Sequence, residues 1–68
     1  MKNYIGYFTN KPNICARIKA KTIRNAARQF ADGHEIKAIR ILNIEDTVAT
    51  FKTWKRGTFK IEFATDLN

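Results

Sequence analysis

Residues 14 to 21 alternate strictly between apolar and polar side chains. One parity carries Ile14, Ala16, Ile18 and Ala20, and the other carries Cys15, Arg17, Lys19 and Lys21. Successive side chains of a strand point to opposite faces, so this period of two predicts a strand with one buried face and one solvated face. Residues 4–8 are rich in aromatic and β-favouring types and are followed by a turn-forming segment around Pro12. We therefore expect a first strand and a turn before the alternating one.

The apolar spacing after residue 21 is that of a helix. Thr22 is a suitable N-cap, because its hydroxyl can accept from a free backbone N–H of the first turn. Gly33 is the residue expected to adopt the left-handed conformation that ends the helix. Between them the apolar residues recur at helical spacing, at Ile23, Ala26, Ala27, Phe30 and Ala31. This stripe predicts one amphipathic helix whose alanines allow a close approach to a sheet.

Residues 36 to 44 carry apolar side chains on both parities. Ile36, Ala38, Leu42 and Ile44 share one parity with Arg40, whereas Ile39 and Ile41 share the other with Lys37 and Asn43. An interior strand buried on both faces fits this pattern. A bulge that reverses the parity fits it equally, as does an apolar surface that contacts a partner. The pattern does not choose among the three.

Residues 48 to 64 are expected to form a terminal hairpin after a turn at Glu45, Asp46 and Thr47. A loop at Lys55, Arg56 and Gly57, with Gly57 left-handed, would set Trp54 opposite Thr58 and Phe51 opposite Ile61. This register gathers an apolar set on one face, namely Ala49, Phe51, Phe59, Ile61 and Phe63. The other face then holds Thr50, Lys52, Trp54, Lys60 and Glu62. A two-residue loop would mix the two sets.

Together these segments predict an α+β fold of order β-β-α-β-β-β, with a single helix packed on one face of a mainly antiparallel sheet. We expect one small basic domain spanning residues 1–68. Its core should be thin, since a chain of this size buries only about 60% of the surface that it exposes when unfolded. No apolar run approaches the ~20 residues of a membrane span, so no membrane contact is expected. Residues 66–68 should form a frayed end.

The charged residues leave a strong positive excess. Thirteen lysines and arginines stand against six acidic residues, a formal net charge of +7 at pH 7. An excess of this kind favours a polyanionic partner. If the helix covers one face of the sheet, the other should present cations and one indole: Arg17, Lys19, Lys21, Lys52, Trp54 and Lys60. Cations that follow phosphates, beside a ring on which bases stack, are typical of nucleic-acid binding. The alternative is a sheet face that lysine merely keeps soluble.

The predicted hairpin tip places Trp54 beside Lys55 and Arg56, a combination suited to insertion into a groove. Alternatively, the indole covers the end of a thin core, and the two cations prevent edge-to-edge pairing of strands. Arg24 and Arg28 lie four residues apart on the exposed side of the helix. They form either a secondary basic patch or an ordinary solvated face.

The reactive side chains form no recognisable catalytic or metal-binding set. Cys15 and His34 are each the sole residue of their type, so an internal disulfide and a structural zinc site of Cys and His ligands are both excluded. His34 and Glu35 are adjacent, and on a strand they would point to opposite faces. We therefore expect no enzyme activity, no metal and no cofactor. A lone cysteine fits a reducing cytoplasm.

The leading hypothesis is a noncatalytic protein that binds DNA or RNA through phosphates, using the basic sheet face and the hairpin tip. The alternative is a small accessory protein, for example of a phage or mobile element, that binds and modulates a host protein. Its candidate contact residues are Tyr7, Ile39 and Ile41. Either a monomer or a homodimer is compatible with a thin core.

Overall fold

The structure is a computed structural model that describes residues 1–64, so the expected frayed end at 66–68 lies outside it. The strands are β1 (Lys2–Phe8), β2 (Cys15–Ala20), β3 (Ile39–Ile44), β4 (Val48–Thr53) and β5 (Thr58–Ala64). The helix, α1, spans Ile23–Gly33 between β2 and β3. One helix packed against a five-stranded antiparallel sheet confirms the predicted α+β class and order.

The strands lie in the order β2-β1-β5-β4-β3. β1 therefore pairs with both its hairpin partner β2 and the last strand, β5. β2 and β3 form the two edges. The alternating pattern of β2 is confirmed at Ile18 and Ala20, which are buried, whereas Ile14 precedes the strand and is 70% exposed.

Helix α1 begins as its sequence predicts. The Thr22 side chain accepts a hydrogen bond of 3.1 Å from the Asn25 N–H, which satisfies one free donor of the first turn. The buried stripe comprises Ala26, Ala27, Phe30 and Ala31. It packs on β2, β1, β5 and β4, and the small alanines allow that close approach.

The end of α1 differs from the prediction at Gly33. Gly33 is the last helical residue, and Glu35 instead adopts the left-handed conformation, with φ 60°. The Ile36 N–H donates to the Ala31 carbonyl at 2.8 Å, and the Glu35 N–H donates to the Asp32 carbonyl at 3.1 Å. These two bonds form a Schellman motif, in which buried Ile36 also seals the end of the helix.

β3 contains a bulge. Ile41 lies opposite Phe51 and Asn43 lies opposite Thr50, so Leu42 is the extra residue. The parity-reversing bulge is therefore the correct explanation of the mixed pattern at 36–44, and the interior strand is wrong because β3 is an edge. The bulge brings both Ile41 and Ile44 to the helix side of the sheet.

The terminal hairpin forms, but the expected register is wrong. Phe51 pairs with Phe59 rather than Ile61, and Lys52 pairs with Thr58. The loop consists of Trp54, Lys55 and Arg56, because the Thr53 N–H donates to the Gly57 carbonyl at 2.8 Å. Lys55 and Gly57 both have positive φ, 75° and 77°. The error is an even number of residues, so the predicted segregation of Phe51, Phe59 and Ile61 onto the helix side still holds.

The core is aromatic and lies between α1 and the central strands. Phe51, Phe59 and Ile61 are the largest fully buried side chains. The Phe59 ring lies 4.7 Å from that of Phe30 and 5.2 Å from that of Phe51. Across residues 1–64, no helix has the length and apolar character needed to cross a membrane.

Candidate nucleic-acid interface

The side of the sheet opposite α1, which we call the open face, carries most of the predicted cations. Lys52 adjoins buried Phe51, and Lys60 lies between buried Phe59 and Ile61, so both lysines point away from the helix. The same alternation applies to all the charged residues of this face, which are Arg17, Lys19, Arg40, Lys52, Lys60 and Glu62. The structure thus brings together Arg17, Lys19, Lys52 and Lys60, as the sequence predicts.

Three of these cations form a cluster on β3, β4 and β5. Arg40 lies directly opposite Lys52. Lys52 pairs with Thr58, so Lys60 is its diagonal neighbour on β5. Directly opposed side chains have Cβ atoms ~4.5–5.5 Å apart, and diagonal neighbours are ~7–8 Å apart. Like charges directly opposite each other destabilise a sheet, so the Arg40–Lys52 pair has an electrostatic cost in the free protein. Lys60 adds a third positive charge beside this pair.

Glu62 is the one acidic residue that a strand places on the open face within residues 1–64, and it is bound by Tyr7. Just beyond β3, Glu45 accepts a hydrogen bond from Asn43 of the same face. The Tyr7 hydroxyl donates to Glu62 Oε2 at 2.5 Å. This hydrogen bond, together with partial burial and the nearby negative charge, raises the pKa of Tyr7 to about 12. Tyr7 itself pairs directly with Lys60. An aromatic ring therefore lies between the cations of β2 and those of the cluster.

The hairpin tip extends beyond the open face. Trp54 is 75% exposed, so the alternative in which it covers the core is wrong. It lies past the end of β4, where it lines a cleft with Lys55, Arg56 and residues 35–38. Parity alone predicts that Trp54 lies within the open face. In the structure it lies at the border of that face instead. The cause is that β4 ends at Thr53 and the chain turns.

Arg56 contacts the body of the protein. Its Nη1 donates to the His34 carbonyl at 3.2 Å, and its guanidinium lies 5.2 Å from the centre of the Phe8 ring. These contacts attach the tip to the end of α1 and to the end of β1. Lys55 is exposed, and within residues 1–64 its side chain makes no comparable hydrogen bond.

Lys21, Arg24 and Arg28 do not join the open face. β2 ends at Ala20, and Lys21 instead lines a second cleft with Tyr4, Ile23 and other residues. Its predicted place on the open face is therefore wrong, because the chain leaves the sheet one residue earlier. Arg24 and Arg28 are exposed on the outer side of α1, so they form a separate patch.

The candidate partner-contact residues lie on different sides of the sheet. Tyr7 is half-buried on the open face, whereas Ile39 and Ile41 lie on the helix side of β3. Ile41 is 42% exposed and its neighbour Leu42 is 51% exposed. An edge strand with exposed apolar side chains is a surface that can accept another chain.

Arg40 is a member of the cluster that sequence reasoning missed. Strict alternation over residues 36–44 would put Arg40 on the same face as Ile36, Leu42 and Ile44. The bulge at Leu42 interrupts this alternation, so Ile44 and Arg40 lie on opposite faces. A signal was present, since Arg40 has the opposite parity to Ile39 and Ile41. Lys37 was also missed, because its place in the Trp54 cleft depends on contact between two distant segments.

The reactive side chains do not converge. Within the described part of the chain, no group of three or more His, Cys, Asp or Glu residues could hold a metal ion. Cys15 is exposed opposite Tyr7. His34 packs against the rings of Phe30 and Phe8, at 4.6 Å and 5.0 Å. The half-buried imidazole thus has a packing role at the edge of the aromatic core.

Comparison with known proteins gives no relative. No protein-family model matches the chain, and neither a curated protein nor a solved structure is significantly similar to it.

Proposed function

We propose that this protein is a noncatalytic nucleic-acid-binding protein that contacts phosphates through the open face of its sheet and through its hairpin tip. The observation that carries the proposal is the Arg40–Lys52–Lys60 cluster, in which Arg40 lies directly opposite Lys52. A sheet face that only needed to stay soluble would be expected to alternate charges of both signs. A polyanion would relieve the repulsion within the cluster.

The rest of the open face supports the same ligand. Arg17 and Lys19 add positive charge at the β2 edge, where Ile5, Tyr7 and Glu62 separate them from the cluster. The hydroxyl of Tyr7 is bound to Glu62, so the carboxylate is partly satisfied within the protein. Phosphate contacts of this kind give affinity without base specificity. The exposed lone thiol of Cys15 fits a reducing compartment, and we place the protein in the cytoplasm.

The test is a binding titration with labelled oligonucleotides at several salt concentrations. Each phosphate contact contributes about one to the slope of log K against log salt. Lys52→Gln and Lys60→Gln should each lower the slope by about one. Arg28→Gln removes the same charge from the outer side of α1 and should leave the slope unchanged. Equal effects of all three substitutions, or binding independent of salt, would overturn the proposal.

A second candidate function is favoured by the exposed apolar side chains of β3. Ile41 and Leu42 lie on an edge strand whose backbone is open to pairing, so an accessory role through a bound protein strand, or through a second copy of this chain, would use this edge. This function predicts a complex that resists nuclease, and amide resonances that do not shift when an oligonucleotide is added. It also predicts that Leu42→Lys abolishes the complex while Lys52→Gln does not.

A further inference from the structure

The Trp54 cleft, lined by the hairpin tip at 54–56 and by residues 35–38, is a half-open depression where β4 ends and β3 begins. Its volume is about 380 Å³, within the ~300–1,000 Å³ range of small-ligand pockets. Trp54 forms one wall and is 75% exposed, while Ile36 is 6% exposed and lies at the base. An aromatic wall with an apolar base suits a flat apolar ring.

Hydrogen bonds hold the hairpin side of the cleft in place. Arg56 joins the tip to the end of α1 through the His34 carbonyl. Buried Thr53 donates to the Gly57 carbonyl at 2.7 Å and accepts from the Arg56 N–H at 3.1 Å. These bonds fix the loop that carries Trp54, so a ligand need not order it.

The backbone of the cleft is strained on both sides. Glu35 and Lys55 are the two non-glycine residues with positive φ within residues 1–64, at 60° and 75°. Both line the Trp54 cleft. Strained residues tend to gather at functional sites, where the surrounding contacts maintain them.

The charges of the cleft suit an aromatic ligand that carries phosphate. Three cations, Lys37, Lys55 and Arg56, and one acidic residue, Glu35, line the cleft, so its net charge is positive. Lys37 and Lys55 are exposed on its two sides. The cleft also adjoins the cationic cluster, because Ala38 and Trp54 each lie two residues along the chain from the paired residues Arg40 and Lys52. Two residues of strand span ~7 Å. The cluster and the cleft are therefore close enough for one nucleic-acid strand to contact both.

We infer that the Trp54 cleft binds an unpaired nucleobase, stacked on the indole, with its flanking phosphates held by Lys37 and Lys55. This inference rests on the proposed function and narrows its ligand to single-stranded nucleic acid. A base within a duplex is already stacked on its neighbours, and its faces are inaccessible to Trp54 unless it is flipped out at a cost. A single strand offers its bases freely.

The test combines two measurements. The fluorescence of Trp54, the sole tryptophan of the chain, reports stacking in the parent protein. Titration of labelled probes reports the affinity of the parent and of the Trp54 variants, which have no indole to observe. The probes are an oligothymidine, an abasic strand of equal length and a duplex. The oligothymidine should quench the fluorescence strongly, and the abasic strand should bind with little quenching. Trp54→Ala should weaken binding of the oligothymidine by about five- to 150-fold, the range that ~1–3 kcal/mol of stacking represents. Binding of the other two probes should change less than about two-fold.

Trp54→Phe serves as the conservative control, since it keeps a stacking ring and should retain most of the affinity. Salt-dependent binding that Trp54→Ala weakens equally for all three probes would overturn the inference and leave the proposed function intact. Absence of salt-dependent binding to every probe would overturn both. Quenching by an apolar peptide but by none of the nucleic acids would show that the cleft is a protein-binding site, and would also overturn the inference.

Discussion

Gly6, on β1, lies against the Phe30 side chain of α1. A Cβ atom at this position would lie 2.6 Å from Phe30 Cδ1 and 2.9 Å from Ile61 Cδ1. Both neighbours are buried, with Phe30 4% and Ile61 0% exposed. The Phe30 ring cannot move away without disturbing the aromatic core, so a glycine is required here for space rather than for backbone freedom.

Gly6→Ala should lower the free energy of unfolding by ~1–3 kcal/mol, the usual cost of overpacking a core. Gly33→Ala is the matched control, because nothing lies within 4 Å of a Cβ there and the residue is helical. That substitution should be neutral or stabilising by up to ~1 kcal/mol. Urea unfolding of the two variants beside the parent measures both effects. Equal stability of the two variants would contradict the proposed close contact.

Tyr7 gives the protein a specific sensitivity to alkali. Its pKa is raised from 10.0 to about 12, chiefly by the hydrogen bond to Glu62. The folded state therefore holds this proton more tightly than the unfolded state does. The resulting stabilisation is fully present below pH 10 and is lost as the pH rises through about 12.

Tyr7→Phe removes both the proton and the hydrogen bond, so the variant should be less stable than the parent below pH 10. The difference should shrink between pH 10 and about 12, because only the parent has this stabilisation to lose. Chemical unfolding of the two chains across this range measures the difference, and other alkaline effects cancel because both chains share them. A difference that does not change with pH would contradict the hydrogen-bonded pair.

At the scale of elements, the C-terminus of α1 carries an avoidable strain. Glu35 occupies the left-handed position of the Schellman motif, which glycine usually fills. A side chain in this conformation costs roughly 1 kcal/mol or more. Gly33, two residues earlier, lies within the helix and does not relieve this cost.

Glu35→Gly should therefore raise the free energy of unfolding by up to ~1 kcal/mol. Glu35→Ala is the control, because it removes the same carboxylate but keeps the Cβ, and it should show no such gain. Thermal and urea unfolding compare the two variants. If both stabilise equally, the gain comes from the lost charge, and the backbone argument is wrong.

The elements themselves were predictable because each depends on a local period. The stripe of α1 with its Thr22 cap and the alternation of β2 follow from neighbouring residues alone. The hairpin register was not predictable, since it depends on Thr53 pairing with Gly57 through a loop in which Lys55 adopts positive φ. Hydrophobic segregation excludes registers that differ by one residue but does not separate those that differ by two.

At the scale of the whole molecule, the sequence predicts which cations share a face but not how they are arranged. Arg17, Lys19, Lys52 and Lys60 follow from parity within single strands. Arg40 and the Trp54 cleft depend on a bulge and on contact between segments far apart in the chain. Tertiary pairing thus forms both the Arg40–Lys52–Lys60 cluster and the Trp54 cleft, on which the two proposals rest.

Because the net charge is +7, folding brings like charges closer together, and their repulsion lowers the free energy of unfolding. Part of this repulsion should come from Arg40 and Lys52, because they lie directly opposite each other. Added salt screens exposed charges, since the Debye length falls to ~3 Å at 1 M ionic strength. The protein should therefore become more stable as salt is added, until the screening is complete.

Lys52→Gln should raise the free energy of unfolding at low salt by ~0.2–1 kcal/mol, the usual range for a cross-strand pair, and by less at high salt. Lys11→Gln, in the exposed turn between β1 and β2, removes the same net charge away from Arg40 and should give a smaller gain. Urea unfolding at low and high salt measures both variants.

Because Lys52→Gln also removes a proposed phosphate contact, the substitution that stabilises the free protein should weaken its binding to nucleic acid. A variant that loses both stability and affinity would indicate that Lys52 supports the fold, and that the Arg40–Lys52–Lys60 cluster carries no cost for a ligand to relieve.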